Sequence, residues 1–519
     1  MARQTRTQKG KTASVLTGQN GAAVSAAFIA QLRTYESDDW SRVLGTTVLK
    51  RFREAYRSVP AYRKFLERMG VDPASIHGTK DLAHVPPVSK ANYLRVHPWD
   101  KLCVAGSFTR DSLILTATSG STGQPFYIPR TEELHKAAMV YHRLFMDRSG
   151  LDPKKPTLIV VCFGMGVWIG GILTYEAFRG IGKSGSPCTV ITPGVNKKEI
   201  FEALTHIAPS FEQLVVCGYP PFVKDLIDDG PQHGVEWKRW DMRVVCAAEA
   251  FSEHFRDYLM QETGMKDPYR SVMNIYGSAE LGTMATETPL AILLRRLAMK
   301  NENLFKKLFS DAHRMPTLAQ FIPNFVSFEA GPEGILYATG NSALPFIRYD
   351  IGDNGGVFTY ADALKLCKDA GVDLPAEVKR AGITETVMEL PFVYLYERAD
   401  LSTKLYGAII YPEHVKIGLQ KQELEAAITG RFTMTTEHDL KHNEYLEINV
   451  ELKSGIKDGE PVRGAITESI VKSLITSNGE YNNNYLAMKE RVTPRIVFWP
   501  HEHPKYFHPS IKQKWVKKT

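Results

Sequence analysis

The chain has 519 residues, 43% hydrophobic and 23% charged, with 64 Lys plus Arg against 57 Asp plus Glu and a net charge of +7. That length exceeds what one hydrophobic core supports, so two or more domains are expected, and the composition excludes a disordered or collagen-like chain. No apolar run reaches the length of a membrane span, and the mild, scattered positive excess is too diffuse for a nucleic-acid surface while suiting small anionic substrates.

Residues 1–24 are basic, rich in Gln, Thr and Gly and without acidic residues, which predicts a disordered tail, with a transit peptide the weaker alternative because the stretch has no clear amphipathic face. They lack the apolar core of a secretory signal, and the six cysteines show no C-x-x-C spacing. Buried reduced thiols and a cytoplasmic location are therefore expected. From Val24 to Met69, Phe28, Leu32, Val48, Phe52 and Tyr56 recur at helical spacing, with a break between helices at Pro60. Leu113-Ile-Leu115 reads as the end of a buried strand. It leads into Thr116-Ala-Thr-Ser-Gly-Ser-Thr-Gly-Gln-Pro125, where Gly120 and Gly123 permit a tight turn and Ser119, Ser121 and Thr122 offer hydroxyls. Successive backbone N–H groups in such a loop can cradle a polyphosphate, although no Gly-Lys-Ser/Thr follows as in a Walker A sequence. Taken alone, a flexible Ser/Gly surface turn is the better reading.

Apolar runs then alternate with helical patterns. Strands are predicted at 158–162, 187–192, 213–217, 242–247 and 272–275, and helices at 169–178 and 199–206. That alternation predicts an α/β sheet with helical cover. Two basic or charged helical stretches, 289–319 and 360–390, read as surface helices, the first with the alternative of capping a substrate pocket or docking a partner. Past residue 400 the pattern becomes short α+β, with strands at 407–411, 445–452 and 495–498 and helices from Glu413 and over 467–474. The expected division is a tail, 1–24, a large α/β domain, 25–399, and a small mobile α+β lid, 400–519.

Several segments together resemble the adenylate-forming superfamily of acyl-CoA synthetases and adenylation domains, and most of all its phenylacetate–CoA ligase-like branch. They are Val59-Pro-Ala-Tyr-Arg63, Leu82 to Lys90, the loop at 116–125, Asn274-Ile-Tyr-Gly-Ser-Ala-Glu280, Leu344-Pro-Phe-Ile-Arg-Tyr-Asp-Ile-Gly-Asp353 and Glu397-Arg-Ala-Asp400. The resemblance implies a phosphate cradle from Thr118, Ser119, Gly120, Ser121, Thr122 and Gly123, with Gln124 where relatives often carry Lys. It implies a Mg²⁺ carboxylate at Glu280, with Tyr276 and Gly277 beside it. Ala248-Glu249 would frame the adenine, with Ala247 in place of the usual Gly and helix capping by Glu249 as the alternative. Asp353 would hold the ribose hydroxyls, an ion pair with Arg348 being the alternative. Arg398 would contact ribose or phosphate, and Asp400 would be the lid hinge. Phe163, Gly164, Trp168 and Gly171 would lie beside the acyl pocket, with helix packing as an equal account. A catalytic lysine near the C-terminus matches Lys512, with Lys514 its near competitor.

The implied activity is ATP-dependent conversion of a carboxylic acid, an aryl acid among the options, to an acyl-AMP with pyrophosphate release. Transfer to a thiol follows, most simply CoA. Transfer to a carrier protein or an amine is the alternative, and a non-catalytic nucleotide-binding module is a third reading. The implied cofactors are ATP and Mg²⁺, with CoA as co-substrate. A homodimer is compatible with the sequence.

Overall fold

The computed structural model describes residues 26–109, 113–118, 126–310, 315–340, 342–396, 402–419, 424, 427–504 and 506–507. The tail 1–24 lies outside the described residues, as do Ser119, Gly120, Ser121, Thr122, Gly123, Gln124, Arg398, Asp400, Lys512 and Lys514.

The strands in chain order are β1 (Ile114–Ala117), β2 (Tyr127–Arg130), β3 (Thr157–Cys162), β4 (Cys188–Ile191), β5 (Gln213–Gly218), β6 (Asp241–Ala247), β7 (Val272–Ser278), β8 (Gly282–Thr286) and β9 (Thr317–Gln320). Then come β10 (Val326–Ala330), β11 (Ile335–Gly340), β12 (Phe346–Phe358), β13 (Phe392–Tyr396), β14 (Thr403–Leu405), β15 (Ala408–Ile410), β16 (Ile428–His438), β17 (Glu444–Leu452) and β18 (Arg495–Trp499). Eleven of them form one sheet in the order β10-β11-β12-β13-β9-β8-β7-β6-β5-β3-β4. From β4 to β7 the pairs are parallel, and from β7 through β8 to β10 they are antiparallel. The parallel half reads as unbroken runs of Val, Ile, Leu and Cys because both its faces are covered; Leu158 to Cys162 are fully buried. Helices Glu132–Arg148 and Ile169–Lys183 pack side by side on it.

The predicted α/β alternation is present, with edges shifted by a few residues. Helices Ala26–Thr34, Ser37–Ser58 and Pro60–Arg68 occupy the N-terminal region, and the chain breaks at Val59, extended at φ −109°, as Pro60 requires. Arg51 pins the second helix to the antiparallel half by donating to the carbonyls of Thr339, at 3.1 Å, and Asn324, at 2.6 Å. Leu113-Ile-Leu115 is not the end of a buried strand. β1 pairs with β2 in a separate two-stranded ribbon, and Leu115 is 45% exposed.

The two stretches expected on the surface are core instead. Helix Pro289–Lys300 buries Leu290, Ala291, Leu293 and Leu294, and helix Glu302–Leu308 buries Leu304 and Leu308. These pack with Ala363, Cys367, Leu374 and Val378 from helices Tyr360–Asp369 and Leu374–Arg380, and with Leu318, Phe358 and Phe392 of the sheet. Their apolar stripes thus cover each other, and β9 at the end of the first stretch is an inner strand of the sheet. Arg295 anchors the first helix through Glu287, 2.7 Å away, and Glu253, 3.0 Å away, in a buried charge cluster that Arg256 completes.

In the C-terminal part, β16, β17 and β18 form a three-stranded sheet, with β17–β18 parallel, flanked by helices Pro412–Leu419, Glu460–Ser477 and Gly479–Val492. Strand β16 and helix Gly479–Val492 were not expected from the sequence. All six cysteines are free thiols, five of them buried.

Candidate active site

A cavity of about 250 Å³ opens where β3, β5, β6 and β7 end, at the boundary between the parallel and antiparallel halves of the sheet. The strand order reverses at β3, which has β4 on one side and β5 on the other, and open α/β sheets bind ligands outside the carboxyl ends of the strands at such a reversal. Thr118, Phe163, Trp168, Ala248, Glu249, Tyr276, Gly277, Glu280 and Asp353, widely separated in sequence, all line it.

Glu280 follows β7 in the hairpin to β8, buried to 4% exposure. Its Oε1 lies 2.9 Å from the Lys90 ammonium. Arg130 holds the hairpin backbone, donating to the Ala279 carbonyl and, at 3.4 Å, to that of Glu280, while its Nε binds Thr116 at 2.7 Å. Burial pushes the Arg130 guanidinium down to about 9, opposed by Glu280. Gly277 has to be glycine, because a Cβ would sit 2.7 Å from the Gly282 carbonyl oxygen. Tyr276 donates to Asp353 Oδ2 at 2.7 Å, across from β7 to β12. Arg348 does not pair with Asp353. It binds Glu329 and, at 2.9 Å, the Ala83 carbonyl, and it also binds the Val85 carbonyl, tying the segment before Lys90 to the sheet.

Ala248, just past β6, adopts φ 76°, a left-handed conformation that costs a residue with a Cβ and that clusters at functional sites. Glu249 does not cap a helix. Its carbonyl accepts from Asn274 Nδ2 at 2.9 Å, and its side chain accepts from the Gly407 N–H. Gly407 belongs to the β14–β15 hairpin, with φ 84°, and a Cβ there would lie 2.5 Å from the Tyr219 ring. Lys404 on the same hairpin donates to the Ala248 carbonyl. Glu480, at the start of helix Gly479–Val492, lines the cavity and accepts from Tyr219 at 3.2 Å. Protein surrounds it, so burial pushes its carboxyl up to about 8, helped by nearby Glu249.

On the apolar side, Phe163 meets Tyr219 edge to face at 5.2 Å, and Trp168, Ile169, Gly170 and Leu173 continue the wall. Gly164 and Gly171 are not part of the lining. A Cβ on Gly171 would meet the Gly164 carbonyl oxygen at 2.5 Å, so this pair serves close loop–helix packing. Helices Pro289–Lys300 and Glu302–Leu308 and residues 360–390 do not line the cavity, whereas Thr317, near the end of the stretch 289–319, does. Lys90 lay in a segment noted in the sequence without a role, and nothing there marked Arg130, Tyr219, Lys404 or Glu480. Each is a single polar residue whose partner is remote in the chain.

The donor set suits a nucleotide. Among the described residues no group of three His, Cys, Asp or Glu side chains could hold a metal alone. Mg²⁺, however, keeps its waters and takes phosphate oxygens, needing only one or two carboxylates, and Glu280 is placed to be one.

No protein-family model matches the chain. A phenylacetate–coenzyme A ligase of Thermus thermophilus is 23% identical over 307 residues, 57% of this chain and 61% of that protein, so the match spans under two thirds of the relative's length. A 2-hydroxyisobutyryl-CoA ligase, solved with 2-HIB-AMP and CoA in the thioesterification state, superposes with TM-score 0.65 at 14% identity, covering 97% of this chain and 94% of that one. The same ligase in the postadenylation state with R3-HIB-AMP gives 0.53 at 14% identity, covering 98% and 93%. The chain has the fold of that ligase, and the expected resemblance to phenylacetate–CoA ligases holds.

Proposed function

We propose that the protein activates a carboxylic acid with ATP and passes the acyl group to a thiol, most simply that of CoA. The observation that carries this reading is the convergence of Lys90–Glu280, Tyr276–Asp353 and Ala248–Glu249 with the aromatic wall Phe163–Trp168 on one cavity. The first step joins two anions: a carboxylate oxygen attacks the α-phosphorus and the bond to pyrophosphate breaks. The protein's task is to place the reactants and offset their charge. Asp353, fixed by Tyr276, would accept from both ribose hydroxyls, and Glu249 with Ala248 would border the adenine. Lys90 is a cation beside the phosphate side of the site, and Glu280 would ligate Mg²⁺, which when bound neutralises phosphate charge. Thr118, Ser119, Gly120, Ser121, Thr122 and Gly123 would cradle the phosphates, Arg398 would contact the nucleotide, and Lys512 would bring a further positive charge. In the second step the thiol sulfur attacks the carbonyl carbon and AMP departs.

The division into 25–399 and 400–519, hinged at Asp400, belongs to the same proposal. The hairpin β14–β15 sits on Ala248 and Glu249, and the superposition is better on a thioesterification state than on a postadenylation state. Both support the reading that the described arrangement is the one for transfer. A carrier protein or amine as acceptor drew on the stretches 289–319 and 360–390, which are packed on each other instead.

A pyrophosphate-release screen over aryl, fatty and amino acids, with and without CoA, tests the proposal. Acid-dependent release, and a thioester only when CoA is added, is the expected result. Binding of ATP with no turnover on any acid would refute it.

A further inference from the structure

Trp168 stands at the N-cap of helix Ile169–Lys183, half-buried, and lines the cavity. Its indole is gripped at both ends by residues without side chains. A Cβ on Gly164, in the same loop, would lie 3.1 Å from Cδ1. A Cβ on Gly479, far along the chain, would lie 3.6 Å from Cζ2 and 3.7 Å from Cη2. Gly479 is the exposed first residue of helix Gly479–Val492. One turn on, Asn483 faces the same loop, its Nδ2 3.6 Å from the place of a Gly164 Cβ. Between them Glu480 accepts from Tyr219, whose ring meets Phe163. The first turn of this helix therefore backs the aromatic wall, and Trp168 borders the cavity and the helix at once. The helix is tied to the β14–β15 hairpin: Asn478 donates to the Ile409 carbonyl at 2.9 Å, and Asn484 to that of Tyr406 at 2.8 Å. Helix and hairpin thus close on the aromatic wall as one unit.

At these distances a methyl on residue 479 would rest against the indole in ordinary van der Waals contact, whereas a larger side chain would need volume the ring occupies. For the same reason Trp168 cannot retreat from a bulky acyl group while the helix is docked, because packed groups pass displacement on to their neighbours. We propose that Gly479 determines specificity in acyl transfer, its missing side chain setting the room left to Trp168 and so the size of acyl group that is passed on. This rests on the acid-activation reading above and deepens it. Acid size is read twice: at adenylation by the Phe163–Trp168 wall, and at transfer by that wall with helix Gly479–Val492 behind it. Gly479 touches no reacting atom.

The test supplies the full chain with CoA and preformed acyl-AMPs of rising size, acetyl, hexanoyl and phenylacetyl, and measures thioester formation. Pyrophosphate release from the matching acids and ATP is measured separately. Gly479→Ala should transfer each group at close to the rate of the unaltered protein. Gly479→Leu should slow transfer of the largest accepted group on the order of tenfold relative to the smallest, with pyrophosphate release and the thermal midpoint unchanged. Adding Trp168→Leu to Gly479→Leu removes the ring that the new side chain strikes and should restore transfer of the large group, which a helix damaged for another reason would not do. A uniform loss across the acyl groups, no loss at all, or a loss that the double variant does not recover overturns the inference. The expected pattern of transfer without pyrophosphate release from any acid would support the role of Gly479 and refute ATP-driven activation. Release without transfer of any supplied acyl-AMP would refute the role of Gly479 and leave activation standing.

Discussion

The wall of the cavity formed by the ends of β5 to β8 and the wall brought by residues 402–507 are held in place by different forces. The first is an extension of strands buried on both faces, and Arg130 clamps its hairpin from below. Moving it would break sheet ladders and expose Val, Ile and Cys side chains, at about 25 cal/mol per Å². The second wall docks on helix Pro220–Asp229 through buried polar contacts beside an apolar cluster that Leu405, Tyr406, Ile410 and Tyr481 share with Phe222 and Val223. Tyr406 donates to Asp225 at 3.0 Å, Arg491 lies 3.5 Å from Asp225, and Lys224 reaches Asn443 at 3.0 Å. The first wall is therefore preorganised, and under the proposed function the second is the part that would move between the two steps. Under the proposed function the first wall would serve adenylation and the second acyl transfer.

Glu280→Ala offers the sharpest break. It removes the carboxylate of the fixed wall, and acid-dependent pyrophosphate release should fall about 10²–10³-fold with the thermal midpoint nearly unchanged. Gly407→Ala comes next. It pushes a methyl into the Tyr219 ring at a left-handed position that costs roughly 1–2 kcal/mol. Thioester formation from preformed acyl-AMP should slow about tenfold while pyrophosphate release holds. Equal damage to both steps would erase the division of labour between the walls.

Tyr276→Phe tests the fixed wall more gently. Losing one hydrogen bond to Asp353, worth roughly 0.5–1.5 kcal/mol, should raise the KM for ATP a few-fold and leave kcat nearly intact. The smallest effect is expected from Glu480→Gln. Burial raises this carboxyl from 4.5 to about 8, so the folded state favours its neutral form. The stability this contributes is complete below about pH 4.5 and is lost as pH rises through about 8. The glutamine variant should melt with the wild type in acid and a degree or two higher in alkali, read by thermal scans across pH.

Legibility in the sequence followed the kind of burial. Strands β3, β5, β6 and β7 were readable because a strand covered on both faces must be an apolar run. Helix Gly479–Val492 was not, since its buried face, Tyr481, Asn484, Met488 and Val492, carries a polar Asn in the middle and only what packs on it shows that face as core. Strand β16 mixes Thr, Arg and Met, and only its place beside β17 makes it a strand. The misreading of 289–319 and 360–390 has the same origin. Each stripe of Leu, Ala and Val shows a helix with one apolar face, and neither stripe says that the other is its cover. In the site, Glu280, Asp353, Tyr276 and Glu249 were legible through local motifs. Lys90 and Glu480 were not, because a lone polar residue takes its meaning from a partner far along the chain.

The sequence by itself determined the elements, the apolar alternation and the short motifs, because these depend on backbone propensity and neighbours within a few residues. Only the tertiary structure decided which charges face each other and which carboxyl is raised toward neutrality. Those depend on distance and desolvation across folded elements, and neither quantity exists until the chain has closed on itself.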